Sequence, residues 1–291
     1  MKCLFSGVGV ALVTPFSRNK IDFDSMQKLI ENCITQGADA IVALATTGEA
    51  PNISIAERKE IILFCKKIIA DRAKLIVGTG HNNFSICKKL TRQAKELGAD
   101  GCLVVTPYYN KTTQQGLIKY YQELSKIKLP IIMYNVPART GLCIDLSTVE
   151  KIVETNAYVY GIKESTTDIN RIIKLHEICD SKIAIYSGED DLNFLFYCLG
   201  GDGTISVTAN AFCQRVKNIY SLCKNGSFFH ARKQQKELAK INSLMFCETN
   251  PVPIKYTLEK LNIITSSEVR LPLVPLEQPH KNQIEQEIKR L

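Results

Sequence analysis

No run of about 18 apolar residues occurs anywhere in the 291 residues, and no apolar segment with a small-residue cleavage site follows Met1-Lys2-Cys3-Leu4-Phe5. Both absences argue against membrane insertion and export, so a cytoplasmic location is expected. The eleven cysteines contain no Cys-x-x-Cys. An odd count without paired spacing favours reduced, buried thiols over a disulfide framework. Cys102 on a strand and Cys143 in a loop are the two positions where reactivity competes with simple burial. His81, His176, His230 and His280 lack ligand-like spacing, which leaves no expected metal centre. No G-x-G-x-x-G turn follows a strand and no G-x-S-x-G elbow occurs, so the usual signals of a dinucleotide cofactor and of a serine hydrolase are missing. No cofactor is expected.

Clustered positive charge is scarce too. The net charge is +8, but Lys and Arg are scattered in nothing longer than pairs such as Lys66-Lys67 and Lys88-Lys89. A nucleic-acid or membrane-surface role needs a basic stripe or an amphipathic basic face, and neither is present. A diffuse positive field instead suits small anionic substrates. Hydrophobic residues at 45% and charged residues at 23% are those of an ordinary folded chain with material for a large core.

What is present is a rhythm. Short apolar, β-branched runs at 7–14, 38–46, 74–80, 101–106, 130–135, 158–163, 182–187 and 203–208 end in small or polar residues and pass into helix-period segments. Segments 24–36 and 55–70 are examples; in the second, Ile61, Ile62, Cys65, Ile68 and Ile69 form a helical stripe. Strands apolar on both faces that alternate with helices imply a parallel sheet, and eight such units imply an α/β fold closed as a (β/α)₈ TIM barrel. A doubly wound open sheet is the runner-up. Roughly 80 residues follow the last strand, too many for one closing helix. Segments 212–223, 231–247 and 254–261 read as helices, with Asn250-Pro251-Val252-Pro253 breaking the chain before the last. The expected division is a barrel over residues 1–224 and a C-terminal helical region over 225–291 packed on it.

Barrel enzymes carry their chemistry where strands end. Lys163 closes the sixth apolar run, and burial there favours a free amine able to attack a carbonyl. The bare residues leave open a lysine merely paired with Glu164. Tyr134 ends the fifth run, placed either for proton transfer or for packing. Thr46-Thr47-Gly48 is a small polar turn that suits a carboxylate but also suits an ordinary turn into a helix. Arg139, four residues past the fifth strand, is a cation for a second carboxylate, or a solvated loop arginine. Glu189-Asp190-Asp191 reads as a loop and helix N-terminus.

Taken together these strings are similar to a known family. Thr46-Thr47-Gly48-Glu49, Pro107-Tyr108-Tyr109-Asn110, Tyr134-Asn135-Val136-Pro137, Gly161-Ile162-Lys163-Glu164, Ser187-Gly188-Glu189-Asp190 and Asn250-Pro251-Val252-Pro253 resemble, in order and nearly end to end, the dihydrodipicolinate synthases of the N-acetylneuraminate lyase superfamily. The resemblance implies a Schiff-base condensation of pyruvate with L-aspartate 4-semialdehyde in lysine and diaminopimelate biosynthesis. It implies Lys163 as imine former, Thr46 and Thr47 on the pyruvate carboxylate, and Tyr134, Thr46 and Tyr109 as proton relay. Tyr109 would come across a tight dimer interface of a homotetramer. Arg139 would take the carboxylate of the second substrate, and Gly188 and Ile205 would line the pocket. Sialic-acid and 2-keto-3-deoxy sugar-acid aldolases share the lysine and tyrosine, but Arg139 and the Thr46-Thr47 pair favour the synthase. A non-catalytic barrel would be expected to have lost one of Lys163, Tyr134 or Arg139, and none is lost.

The chain departs from the pattern in two places. Lys111-Thr112 stands where Arg-Pro often follows Tyr-Tyr-Asn. Ala50, Ile55, Arg58 and Ile86 occupy positions that resemble the lysine-feedback site of many relatives, although Asn82 and Tyr108 remain. Without a carboxylate at 86, lysine feedback is expected to be weak or absent.

Overall fold

The computed structural model describes residues 1–291. Its centre is a closed barrel of eight parallel strands: β1 (Gly7–Ala11), β2 (Ala40–Ala43), β3 (Lys74–Gly78), β4 (Gly101–Val105), β5 (Ile131–Asn135), β6 (Val159–Glu164), β7 (Ala184–Ser187) and β8 (Gly203–Ser206). Each strand pairs with its neighbours in sequence, and β1 bonds to both β2 and β8, which closes the ring. The chain is a (β/α)₈ barrel, as the alternating runs predict.

Alternation along each strand creates two cores. Inward residues, among them Ala40, Val42, Ile76, Leu103, Ile132, Tyr134, Ala184, Tyr186 and Ile205, fill the barrel lumen. Outward neighbours such as Ile41, Leu75, Val77, Ile131, Met133 and Ile162 pack under the helices in a much larger cluster. The two-residue period therefore decides which strand-end side chains reach the lumen. Below them the lumen is sealed by Phe5, whose ring stacks on Tyr186 at 4.5 Å, while the Tyr186 hydroxyl donates to the Phe5 carbonyl at 2.9 Å.

Several strands are shorter than the apolar runs that foretell them. β1 stops at Ala11 rather than 14 because side chains take over its hydrogen bonds: Val13 N–H donates to Asn210 Oδ1 and Thr14 Oγ1 to the Gly48 carbonyl. A small hairpin of Phe16–Ser17 and Lys20–Ile21 follows, too short to leave a mark in the hydrophobic pattern.

The helices are α1 (Phe23–Thr35), α2 (Ile55–Ile69), α3 (Phe84–Glu96), α4 (Gln114–Ser125), the single turn α5 (Pro137–Thr140), α6 (Leu146–Thr155), α7 (Ile169–Cys179) and α8 (Asn193–Cys198). Their starts are encoded locally. Asp22, Asn83, Thr113 and Asp168 cap the first N–H groups of α1, α3, α4 and α7, and Ser54 with Glu57 forms a reciprocal capping box on α2. Four more helices follow β8: α9 (Ala209–Lys224), α10 (Phe228–Leu244), α11 (Val252–Lys260) and α12 (Gln278–Arg290). α9 is broken at Phe212 (φ −130, ψ 44), where Asn210 turns aside to bond Ala11 O and Val13 N, so its regular part begins near the sequence-predicted start. α12 is the one long helix without a sequence signal, because only Ile284 and Ile288 of its thirteen residues turn an apolar side chain inward. No helix is long and apolar enough to cross a membrane. All eleven cysteines are free, and Cys102 lies fully buried, its thiol pushed up by desolvation.

Candidate active site

The barrel mouth is where inward side chains run out of strand. Tyr134 and Lys163 are register partners on β5 and β6, both inward-facing, so the ladder itself puts the amine over the ring, with Nζ 4.3 Å from its centroid. Tyr134 is 6% and Lys163 5% exposed. The alternation that turns Lys163 inward turns Glu164 outward. Glu164 pairs there with Arg171 of α7, Oε2 accepting Nε and Nη2 at 3.1 and 3.0 Å, and not with Lys163. The amine thus has no carboxylate holding it in an ion pair, which favours nucleophile over structural cation.

The turn after β2 faces Lys163 across the lumen. It is bracketed by left-handed backbone at Leu44 (φ 57) and Glu49 (φ 53) and closed by bonds from Gly48 N to Ala45 O and Glu49 N to Thr46 O. Folding the turn this way leaves the N–H groups of Thr46 and Thr47 without an acceptor in the chain. Two adjacent free N–H donors beside two hydroxyls are the ingredients of a carboxylate cradle. Thr47 Oγ1 accepts from Asn250 Nδ2 at 3.0 Å, which fixes its rotamer, and Asn250 Oδ1 is buried without a partner.

Arg139 rides on α5, exposed and free of any ion pair, and lines the same cavity as Thr46, Thr47, Tyr134, Lys163 and Gly188. Gly188 follows β7, where no side chain fits: a Cβ would lie 1.9 Å from Ser165 Oγ and 2.9 Å from Lys163 Cε. Ile205 lies fully buried in the lumen cluster with Tyr134, below the cavity rather than on its wall. Tyr109 is not brought to the cavity of its own chain. It is 93% exposed, with backbone in the left-handed region (φ 71).

Glu189, Ser165, Phe246 and Asn250 also line the cavity and were not singled out as site residues. Burial raises the Glu189 carboxyl above its ordinary range, opposed by Lys163 and Arg139. In the sequence it looks like one acid of a helix start. Phe246 and Asn250 come from the segment after α10, and no strand-end rule points that far along the chain. A broader surface cleft at Lys28, Glu259, Lys260 and Asn262 carries charge but gathers no nucleophile with a proton donor, so the chemistry belongs to the mouth. Glu248, Glu277 and His280 bring three donor atoms within 4.8 Å, but Glu248 Oε1 already accepts Glu277 N at 2.9 Å and meets His280 Nδ1 at 2.6 Å.

Comparison with known proteins agrees with the barrel fold. Residues 4–291 match the dihydrodipicolinate synthetase family. A 4-hydroxy-tetrahydrodipicolinate synthase of Thermodesulfovibrio yellowstonii is 40% identical over 282 residues, covering 97% of this chain and 96% of the relative. The crystal structure of dihydrodipicolinate synthase from Thermotoga maritima superposes with a TM-score of 0.97 at 36% identity, covering 99% of this chain and 98% of that one. A structure described as a monomeric dihydrodipicolinate synthase variant superposes with a TM-score of 0.96 at 36% identity, covering 98% and 96%.

Proposed function

The chain belongs to the dihydrodipicolinate synthetase family, and on that premise we propose the following course for its reaction, the condensation of pyruvate with L-aspartate 4-semialdehyde to 4-hydroxy-tetrahydrodipicolinate. It is a lyase of lysine and diaminopimelate biosynthesis. The observation that carries the reading is the buried, unpaired Lys163 amine over the Tyr134 ring, opposite the free N–H groups of Thr46 and Thr47.

The cradle holds the pyruvate carboxylate and presents the carbonyl carbon to Lys163 Nζ. Attack forms a carbinolamine, and loss of water leaves the imine, with Tyr134, Thr46 and Tyr109 passing the protons. Loss of a methyl proton gives the enamine, whose carbon attacks the aldehyde of the second substrate, held by its carboxylate on Arg139. The new alkoxide takes a proton from the relay. The substrate amine then displaces Lys163 from the imine carbon, closing the ring and freeing the lysine; one water leaves overall. Gly188 keeps the space beside the Lys163 stem open, and Ile205 forms the apolar floor beneath.

In this reading residues 1–224 carry the reacting groups, and residues 225–291 pack on the barrel and lend Phe246 and Asn250 to the cavity wall. Tyr109 points into solvent from a left-handed backbone, which supports donation to a neighbouring chain in a homotetramer built from tight dimers. Sedimentation of the purified protein, with Tyr109→Phe assayed beside it, tests the assembly. The reducing cytoplasm suits eleven free thiols. The reaction is tested by borohydride reduction in the presence of pyruvate followed by intact mass: an adduct in the wild type and none in Lys163→Ala supports the imine, and no adduct in either overturns it.

A further inference from the structure

Arg139 has no partner within the chain, so its place depends wholly on the loop that bears it. That loop leaves the barrel at Asn135, the last residue of β5, and returns at Ile144. Asn135 is fully buried and, one residue on from inward-facing Tyr134, points outward. Its Oδ1 accepts the Ile144 N–H at 3.0 Å across nine residues, closing the loop at its base. Its Nδ2 donates to Glu164 Oε1 at 2.7 Å. Glu164 follows Lys163 on β6 and is itself held by Arg171. Inside the loop, Thr140 Oγ1 bonds both Leu142 O and Leu142 N, and Gln114 of α4 grips Cys143 O and Asp145 N.

A buried carboxylate and guanidinium are a costly way to fill space, since apolar residues of similar volume often stabilise as well or better. An apolar pair cannot orient an amide. With Glu164 taking only donors, the Asn135 side chain has one orientation, Nδ2 toward Glu164 and Oδ1 left for Ile144. We propose that Asn135, oriented by Glu164 and Arg171, is a positioning residue that fixes the Arg139 loop and so sets affinity for the carboxylate of the aldehyde substrate, leaving pyruvate capture to the other side of the mouth. This rests on the reading of Arg139 given above.

The test is a split between the two substrates. Asn135→Leu keeps the branched shape and removes the side-chain bonds to Glu164 and Ile144, with the weaker one to Cys143 Sγ. It is expected to raise KM for the aldehyde about tenfold or more, to leave KM for pyruvate and the borohydride-trapped pyruvate imine within about twofold, and to add little in an Arg139→Ala background, because groups acting through one another are non-additive. The paired exchange Asn135→Asp with Glu164→Gln reverses the donor and acceptor between the two positions, leaves an amide oxygen facing Arg171 with the carboxylate one position beyond it, and is expected to recover most of the aldehyde KM. If Asn135→Leu does not give a cooperative melt, Glu164→Gln alone is measured in the same way, with the same split expected. An unchanged aldehyde KM, or equal loss for both substrates, overturns the inference. A wild type that traps no pyruvate imine would instead overturn the reaction itself, a result visible before any variant is made.

Discussion

Lys255 and Glu49 meet at 2.5 Å with both side chains fully shielded from solvent. The pair joins α11, outside the barrel, to the residue that ends the Thr46-Thr47-Gly48 turn. Lys255 Nζ also donates to Glu268 O at 2.7 Å, and Glu49 Oε2 accepts Arg270 N at 3.1 Å. Burial brings Lys255 down to about 8, opposed by Glu49. Glu49 holds a left-handed backbone that a non-glycine residue adopts only under constraint, and the buried lysine supplies that constraint.

Removing one member leaves the other buried without its partner. Lys255→Met is expected to cost about 3–5 kcal/mol in guanidinium unfolding, and Glu49→Gln with Lys255→Met together less than the sum of the singles. Because the turn carries the N–H cradle, KM for pyruvate should rise in either single variant. Equal midpoints in wild type and variants would show that the pair does not hold the turn.

A second pair governs acid behaviour. Hydrogen bonds from Arg270 pull Glu57 down from its ordinary 4.5 to about 2. The folded state therefore binds this proton more weakly than the unfolded chain does. The stabilisation is complete above pH 4.5 and drains as pH falls toward 2. A quarter of the Glu57 side chain is exposed, so solvent limits the effect to about 1 kcal/mol. Stability of Glu57→Gln should fall less steeply than that of the wild type over this interval in urea titrations, and parallel curves would contradict the assignment.

Feedback by lysine is expected to be weak or absent. Where the sequence resemblance implies a carboxylate for lysine, Ile86 is exposed and apolar. Arg58, at another of those positions, is a buried cation donating to Gly78 O at 2.5 Å; burial lowers it only to about 10, so it stays charged at neutral pH. An incoming ammonium would meet like charge. Initial rates in sub-millimolar L-lysine should match those without it, and clear inhibition would sink the expectation.

Gly188 offers a steric test. A methyl group there meets Ser165 Oγ, the Glu164 carbonyl and Lys163 Cε, all within 2.9 Å. Gly188→Ala should displace the Lys163 stem and cut the rate of imine trapping about tenfold or more, with overpacking costing about 1–3 kcal/mol of stability. Trapping at the wild-type rate would mean that the stem has room to spare.

Much of this was legible in the sequence, for a physical reason. In a barrel the strand ends are few and the active face is always the same one, so Lys163, Tyr134, Thr46, Thr47 and Gly188 fall within a short list of strand-end positions, while the roles given to them and to the loop residue Arg139 come from the family resemblance. Whether Lys163 pairs with Glu164 needed only the strand period to decide, because adjacent residues face opposite sides. Asn250 and Phe246 were out of reach: their approach depends on how α10 and α11 return over the mouth, a long-range packing outcome. α12 escaped because its inward face carries only two apolar residues, Ile284 and Ile288. The outward position of Tyr109 shows only that one chain does not use it on itself.

The Phe5–Tyr186 stack makes the lumen a blind well with a single door. Whatever reaches Lys163 first lies beneath whatever comes second, and cannot leave by another route while its successor is bound. If the proposed reaction holds, order of addition is expected to follow the architecture rather than relative affinities, with the keto acid descending to Lys163 before the aldehyde.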